Sequence, residues 1–411
     1  MKKINTCRIC KSNDVVKFLS LGNMPLAGGF IKKEDIPNEK KYPLDIYFCK
    51  NCSLVQVLDV IPPDILFKDY RYLSSSTKTL SEHFKKAAMY YKERFLRNKN
   101  SFVVEIGSND GVLLKPLSDL GINAIGVDPS ENVSKIAKSK GLNVIVDYFT
   151  KKVAKEIVNK YGKADLIIAN NVFAHIDNLD EVMDGIKILL KEDGVYIFEV
   201  QYIIDLLENT KYDTMYHEHL CYYSLYALSH LMNRFGVEIF DVERIPKIHS
   251  GSIRVFVRNK GKNESIIKKV KELLELENKV GILDERCYIT FGDLINKNKI
   301  ELVGLLKNLK KQGKRIIGYG APGSSIILLN YCDIGKEILD YVVDVSPERY
   351  GRVMPGKHIE IFHPDKMKEK YPDYALILAY TYKDEILGKE KDFIENGGKF
   401  IMPLPKIEIL P

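Results

Sequence analysis

Apolar and polar positions along this chain change rhythm several times, and each change predicts an element. In SFVVEIGSNDGVLLKPLSDLGINAIGVDPS (101–130) a continuous apolar run gives way to a glycine turn, then to a helix-like stretch, then to a second apolar run ending in an acid. That order predicts a βαβ unit. ADLIIANNVFAHI (164–176) predicts a fourth strand, with Asn170 and Asn171 at its carboxyl end, and HSGSIRVFVRNKG (249–261) predicts a further strand with glycine at its approach. Residues 263–310 then turn polar. Within them ESIIKKVKELLELENKV places apolar residues at helical spacing, so a long helical connection is predicted. KRIIGYGAPGSSIILLNY (314–331) restores strand, glycine loop and helix, and LDYVVD closes a further strand on Asp344. Ahead of all this, PLDIYFCKNCSLVQVLD mixes β-branched and aromatic residues around a turn and predicts a small strand-rich unit. The expected fold is α/β, with a small unit over 1–70, a Rossmann-like unit over 71–262, a helical connection over 262–310 and a second Rossmann-like unit over 311–411.

Composition alters this picture little. The 411 residues are 45% hydrophobic and 28% charged, without a fixed-period repeat, which suits two or three ordinary globular domains. A net charge of +7 spread along the chain is a mild bias towards anionic ligands, short of the basic footprint of nucleic-acid binding. The densest basic run, KNLKKQGKR (307–315), reads as a solvated helix end. No stretch approaches the roughly 18 apolar residues of a membrane span, and the start carries no apolar core behind its lysines. A cytoplasmic monomer without nucleic-acid or membrane partners is expected.

Cysteine spacing adds chemistry. Cys7 and Cys10 form one C-x-x-C pair and Cys49 and Cys52 a second, and two such pairs let four thiolates close on one tetrahedral ion. Structural zinc is expected, since four thiolates leave no open position for catalysis; four buried free cysteines are the alternative.

In the first βαβ unit the glycine pattern is E-x-G-x-x-x-G, formed by Glu105, Gly107 and Gly111, rather than the G-x-G-x-x-G of pyrophosphate cradles. Asp128, followed by Pro129, ends the second strand where an acid can hydrogen-bond ribose hydroxyls. Glu105 and Asp110 would repel a diphosphate and suit the cationic S-adenosylmethionine. Asn109 lies in the same loop, Asp147 of DYFT could meet adenine, and Asn170 and Asn171 stand where open α/β sheets bind ligands. An unliganded glycine-rich turn is the alternative reading.

MYHEHLCYYS (215–224) is ambiguous by itself. His217 and His219 could share a metal, but a third ligand and helical H-E-x-x-H spacing are missing. His219 is the best candidate base, because imidazole titrates near neutrality and Glu218 stands beside it. The order of the four-cysteine unit, RYLSSST (71–77), EIGSNDG, AHI, YHEH, GSIRV and GYGAPGSS resembles the sugar C-methyltransferases of deoxysugar biosynthesis over essentially the whole chain. The resemblance implies a zinc module, a central S-adenosylmethionine domain and a carboxyl-terminal Rossmann-like domain, acting on a nucleotide-linked 4-keto-6-deoxyhexose. It places the active site on Tyr72, His175, Tyr216, Glu218 and His219, and leaves His217 as a variable position. Ser74, Ser75, His249, Ser252, Arg254, Gly320 and Arg349 are the candidate substrate contacts.

The second glycine loop reads as a dinucleotide fingerprint, so a dehydrogenase with a structural zinc, or a non-catalytic nucleotide-sugar binder, stays open as an alternative. The same loop can hold a nucleotide-sugar diphosphate on a helix amino terminus. Two positions depart from the family pattern: Ser324 stands where a lysine is expected, and Tyr380 and Thr381 replace a W-N pair.

Overall fold

The computed structural model describes residues 1–68, 70, 72–96, 98, 100–246, 251–261 and 266–411. His249, one of the candidate substrate contacts, lies outside the described residues.

The first unit is an antiparallel sheet of β1 (Val15–Pro25), β2 (Lys41–Cys49) and β3 (Val55–Val57). Leu44, Ile46 and Phe48 alternate inward along β2, the period-two pattern of a strand with one buried face. Its fourth strand comes from far along the chain: Cys221–Tyr222, just after YHEH, pairs with Gln56 and Val55.

The central sheet has seven strands. They are β4 (Phe102–Ile106), β5 (Asn123–Val127), β6 (Val144–Ile145), β7 (Ala164–Asn170), β8 (Leu190–Gln201), β9 (Val237–Ile245) and β10 (Ser252–Asn259), in the order β9-β10-β8-β7-β4-β5-β6. The five strands β4 to β8 are parallel, and β9 and β10 add an antiparallel edge. Every residue of β4 is buried, Glu105 included, as a central parallel strand covered on both faces requires. Helix α1 (Lys78–Phe95) covers one face with Leu80, Phe84, Ala87, Ala88 and Tyr91, a helical stripe started by the Thr77 cap on the Leu80 amide.

The helical connection is two helices, Lys268–Val280 and α2 (Glu285–Lys311), parted by Gly281 at φ +84°. The last sheet contains β11 (Ile316–Tyr319), β12 (Val342–Val343), β13 (Ile361–Phe362), β14 (Tyr374–Ile377), β15 (Lys399–Met402) and β16 (Glu408–Leu410). Their order is β13-β12-β11-β14-β15-β16, parallel except for β16. Helix α3 (Gly323–Tyr331) follows β11 and is apolar nearly all round, consistent with its burial. A separate two-stranded ladder joins Ile31–Lys32 of the first unit to Arg352–Val353 of the last.

Candidate active site

The four predicted metal ligands come together. Their sulfurs lie within 4.8 Å of one another, with Cys7 and Cys52 at 3.5 Å and Cys10 and Cys49 at 3.5 Å. Both knuckles turn the same way: Lys11 (φ 62°) and Ser53 (φ 57°) swing left-handed and donate back to the Cys7 and Cys49 carbonyls. Four soft sulfurs in one buried cluster fit zinc, and the set is closed. This is a structural zinc site.

The cofactor crevice opens at the carboxyl ends of β4, β5 and β7. Gly107 sits at φ +70°, and a Cβ there would lie 2.2 Å from Val172 Cγ2, so only glycine allows the turn. Asn109 (φ 49°) donates its amide to Asp128 Oδ2 at 2.8 Å, and Ser130 N donates to Asp128 Oδ1 at 2.9 Å across Pro129. Gly111 sits at φ +83°, close against Leu142. Glu105 Oε2, Asp110 Oδ1 and both amide atoms of Asn170 are buried without protein partners. Burial, and then Asp128 and Asp110, push the Glu105 carboxyl well above the usual range. Unmet acceptors and an amide at one crevice fit S-adenosylmethionine, whose cationic centre and adenosyl groups would satisfy them. Asn171 turns left-handed (φ 56°) with its amide on the Glu199 carbonyl, and Asp147 is exposed beyond β6.

Ser74 and Ser75, read as substrate contacts, are attached to this loop. Ser74 N donates to Asn109 Oδ1 at 3.0 Å, the Ser75 hydroxyl donates to Asp110, and Asn109 Nδ2 holds the Tyr72 carbonyl at 3.1 Å.

The candidate base stands among aromatic rings. The His219 ring lies 4.1 Å from Tyr216, 5.1 Å from His175 and 6.2 Å from Tyr222, and His175 stacks on Phe67 at 5.4 Å. His219 Nδ1 is 3.0 Å from the Thr214 carbonyl. A carbonyl only accepts, so in the neutral ring Nδ1 carries the hydrogen and Nε2 the lone pair. The orienting group is therefore a backbone carbonyl rather than Glu218. Glu218 turns towards the first unit, its Oε1 3.6 Å from where a Cβ on Gly28 would be, and burial pushes its carboxyl up to about 7. The Tyr216 hydroxyl is raised well above its usual range by burial and then by Glu218, which keeps it a donor. Tyr72 is half exposed, edge-on to Tyr70 at 6.3 Å.

His217 faces away from this cluster. Its Nε2 lies 3.3 Å from both the Tyr42 and Pro43 carbonyls, so it anchors the segment to the zinc-bearing sheet. His217 and Cys221 thus anchor the segment to the first sheet, while Tyr216 and His219 face the site.

The other candidate substrate contacts lie elsewhere. Ser252 pairs with Gln201 at the end of β10. Arg254 is buried, with bonds of 2.6–2.9 Å to Glu199 and Glu243, while His83 holds the other side of Glu199 at 2.9 Å. Gly320 (φ +88°) lines the second crevice, where a Cβ would lie 2.4 Å from Ala379. Arg349 pairs with Asp344 at 2.9 Å and lies over the Phe30 ring at 5.1 Å. Tyr70, Thr214 and Gly28 were not singled out from the sequence. Tyr70 could have been, as the first of the alternating tyrosines in DYRYL, whereas a backbone carbonyl and a small loop residue leave no such signal.

Crevice and fold together define an S-adenosylmethionine-dependent methyltransferase, and residues 80–242 match the methyltransferase domain family. Residues 7–67 match a zinc binding domain family and residues 247–405 the C-methyltransferase C-terminal domain. The C-methyltransferase NovU of Streptomyces niveus is 35% identical over 411 residues, spanning 100% of this chain and 98% of that one. This chain belongs to the C-methyltransferase family. A ubiquinone biosynthesis O-methyltransferase of Pelagibacter ubique is 28% identical over 99 residues, 24% of this chain and 40% of its own. Among solved structures, an S-adenosylmethionine-dependent methyltransferase from Clostridium acetobutylicum aligns with 43% of this chain and 92% of its own, at 18% identity and a TM-score of 0.35.

Proposed function

We propose that this C-methyltransferase acts on a nucleotide-linked keto-deoxysugar, a 4-keto-6-deoxyhexose, methylating a ring carbon beside the ketone through an enolate made by His219. Bound S-adenosylmethionine supplies an electrophilic methyl group. A carbon acceptor must first lose a proton, and a neighbouring ketone makes that loss accessible. The observation that carries the reading is the Nδ1 bond of His219 to the Thr214 carbonyl, which leaves Nε2 as the basic atom. His219 Nε2 takes the proton. The Tyr216 phenol, a donor at working pH, stabilises the oxygen on which charge develops, with His175 and Tyr72 holding the sugar. Residues 311–411 hold the nucleotide diphosphate at the amino terminus of α3, with Arg349 beside the loop.

The test incubates the protein with nucleoside-diphosphate-linked 4-keto-6-deoxyhexoses in heavy water, with and without S-adenosylmethionine. The reading expects deuterium at the carbon beside the ketone without the methyl donor, and a new carbon-bound methyl with it. Methyl transfer to oxygen, or no exchange and no transfer with any of these sugars, would overturn it.

A further inference from the structure

The two departures of the sequence from its family pattern, Ser324 and Tyr380, are far apart in the chain but converge on one buried carboxylate. The Tyr380 hydroxyl donates to Asp213 Oδ1 at 2.7 Å. Asp213 is fully buried, and burial pushes its carboxyl up to about 6, against the pull of the Tyr380 and Ser324 hydroxyls and of Lys211. Next to it, the Tyr212 hydroxyl lies 3.4 Å from Cys332 Sγ, and its ring meets Tyr331 edge-on at 5.4 Å. Residues 212–214 form one tight turn, with Met215 N on the Tyr212 carbonyl at 2.9 Å and the Thr214 hydroxyl on the Lys211 carbonyl at 2.8 Å. This turn is held at the amino- and carboxyl-terminal ends of α3, the helix that follows the second glycine loop.

The turn ends on Thr214, whose carbonyl accepts from His219 Nδ1. A residue that fixes the turn therefore fixes the acceptor that sets the tautomer of the base. Resting on the reading of His219 as base, we infer that Asp213 and Tyr380 are positioning residues: the carboxyl-terminal unit aims the base of the central unit through the Tyr380–Asp213 bond and the Thr214 carbonyl. The same elements carry the loop proposed to hold the nucleotide diphosphate. Nucleotide binding at that loop and orientation of the base are thus physically joined, and the unusual Tyr380 is this chain's own version of the joint.

The experiment reads the tautomer directly. Protein labelled with ¹⁵N-histidine contains eight histidines, and the His219 signals are assigned by their loss in His219→Gln. The wild-type ring is expected as the Nδ1–H tautomer. Tyr380→Phe removes one hydroxyl and should move the tautomer ratio towards Nε2–H by roughly fivefold, the worth of one net hydrogen bond. Asp213→Ala should move it at least as far, while Asp213→Asn, which keeps an acceptor for Tyr380, restores most of the Nδ1–H form. Affinity for S-adenosylmethionine is expected unchanged in all three. An unshifted His219 spectrum in Tyr380→Phe would overturn the inference, even if Asp213→Ala does not fold. A shifted spectrum together with full turnover in His219→Ala would instead keep the positioning link and remove His219 as base.

Discussion

The central and carboxyl-terminal sheets build a similar crevice twice and give it a different balance of charge. In the first, Gly107 N bonds the Val127 carbonyl at 2.7 Å, and Asp128 accepts from Asn109 N and Ser130 N. In the second, Gly320 N bonds the Val343 carbonyl at 2.7 Å, and Asp344 accepts from Ala321 N at 2.6 Å and Ser346 N at 2.8 Å. The two loops share these contacts with one offset: the amide on the acid stands two residues past Gly107 in the first and one past Gly320 in the second. Two residues before the turn glycine stands buried Glu105 in one crevice and Gly318 in the other, where a Cβ would lie 2.8 Å from Leu378. Asp128 is joined by Glu105, which has one buried oxygen without a protein partner, and by Asp110, which pairs with Lys140 at 3.3 Å, whereas Asp344 pairs with Arg349. Three acids against one lysine suit a sulfonium; one acid against one arginine tolerates an anion. The charge that each crevice suits thus depends on side chains just off a shared loop, not on the loop.

The largest expected effect tests which crevice serves the chemistry. His219→Ala should lower methyl transfer by roughly 10² to 10⁴, the worth of a general base, with S-adenosylmethionine affinity intact by calorimetry. Arg349→Ala should instead raise the KM for the sugar nucleotide and spare kcat. Next, Asp128→Ala should weaken S-adenosylmethionine binding by roughly 10- to 100-fold, as loss of hydrogen bonds to a charged group does, while Asp344→Ala leaves it near wild type. Equal losses would erase the contrast between the two acids. Smaller again, Gly107→Ala and Gly320→Ala should each cost about 1–3 kcal/mol in denaturant unfolding, because both hold left-handed backbone in a space without room for a methyl. A neutral Gly320→Ala would show that the second loop has lost the constraint of the first.

The smallest effect concerns pH. Glu218 is raised from 4.5 to about 7 in the folded protein, so between those values the folded state holds more protons than the unfolded one. Its contribution is fully present below pH 4.5 and is lost as pH rises through about 7. Melting of the ligand-free protein across that window should therefore fall less steeply for Glu218→Gln than for wild type. Identical slopes would mean that Glu218 is better solvated than its burial implies.

Much of this was legible in the chain because it is local. The βαβ rhythm, the paired cysteines and the acid closing each second strand occupy short windows, and each appears where its pattern places it. What was hidden depends on partners distant in sequence. Arg254 reads as an anion contact on its own strand, yet Glu199, 55 residues away, takes its guanidinium. Glu218 reads as the partner of His219 because it is adjacent, but residues 216–219 form a turn closed by His219 N on the Tyr216 carbonyl, and the ring's partner is a carbonyl five residues back. Ser324 and Tyr380 look like losses until the fold brings both to Asp213.

The strand Cys221–Tyr222 gives the zinc cluster a reach that its closed coordination conceals. It completes the zinc-bearing sheet, and His217 ties the same segment to Tyr42 and Pro43, so the loop bearing His219 is finished only when that sheet is folded. The first cofactor crevice depends on that sheet less, since its loop and acids belong to the central sheet and it reaches the first unit only through side bonds such as Ser130 Oγ on the Phe67 carbonyl. Zinc removal is therefore expected to loosen the loop bearing His219 more than the loop of the first cofactor crevice.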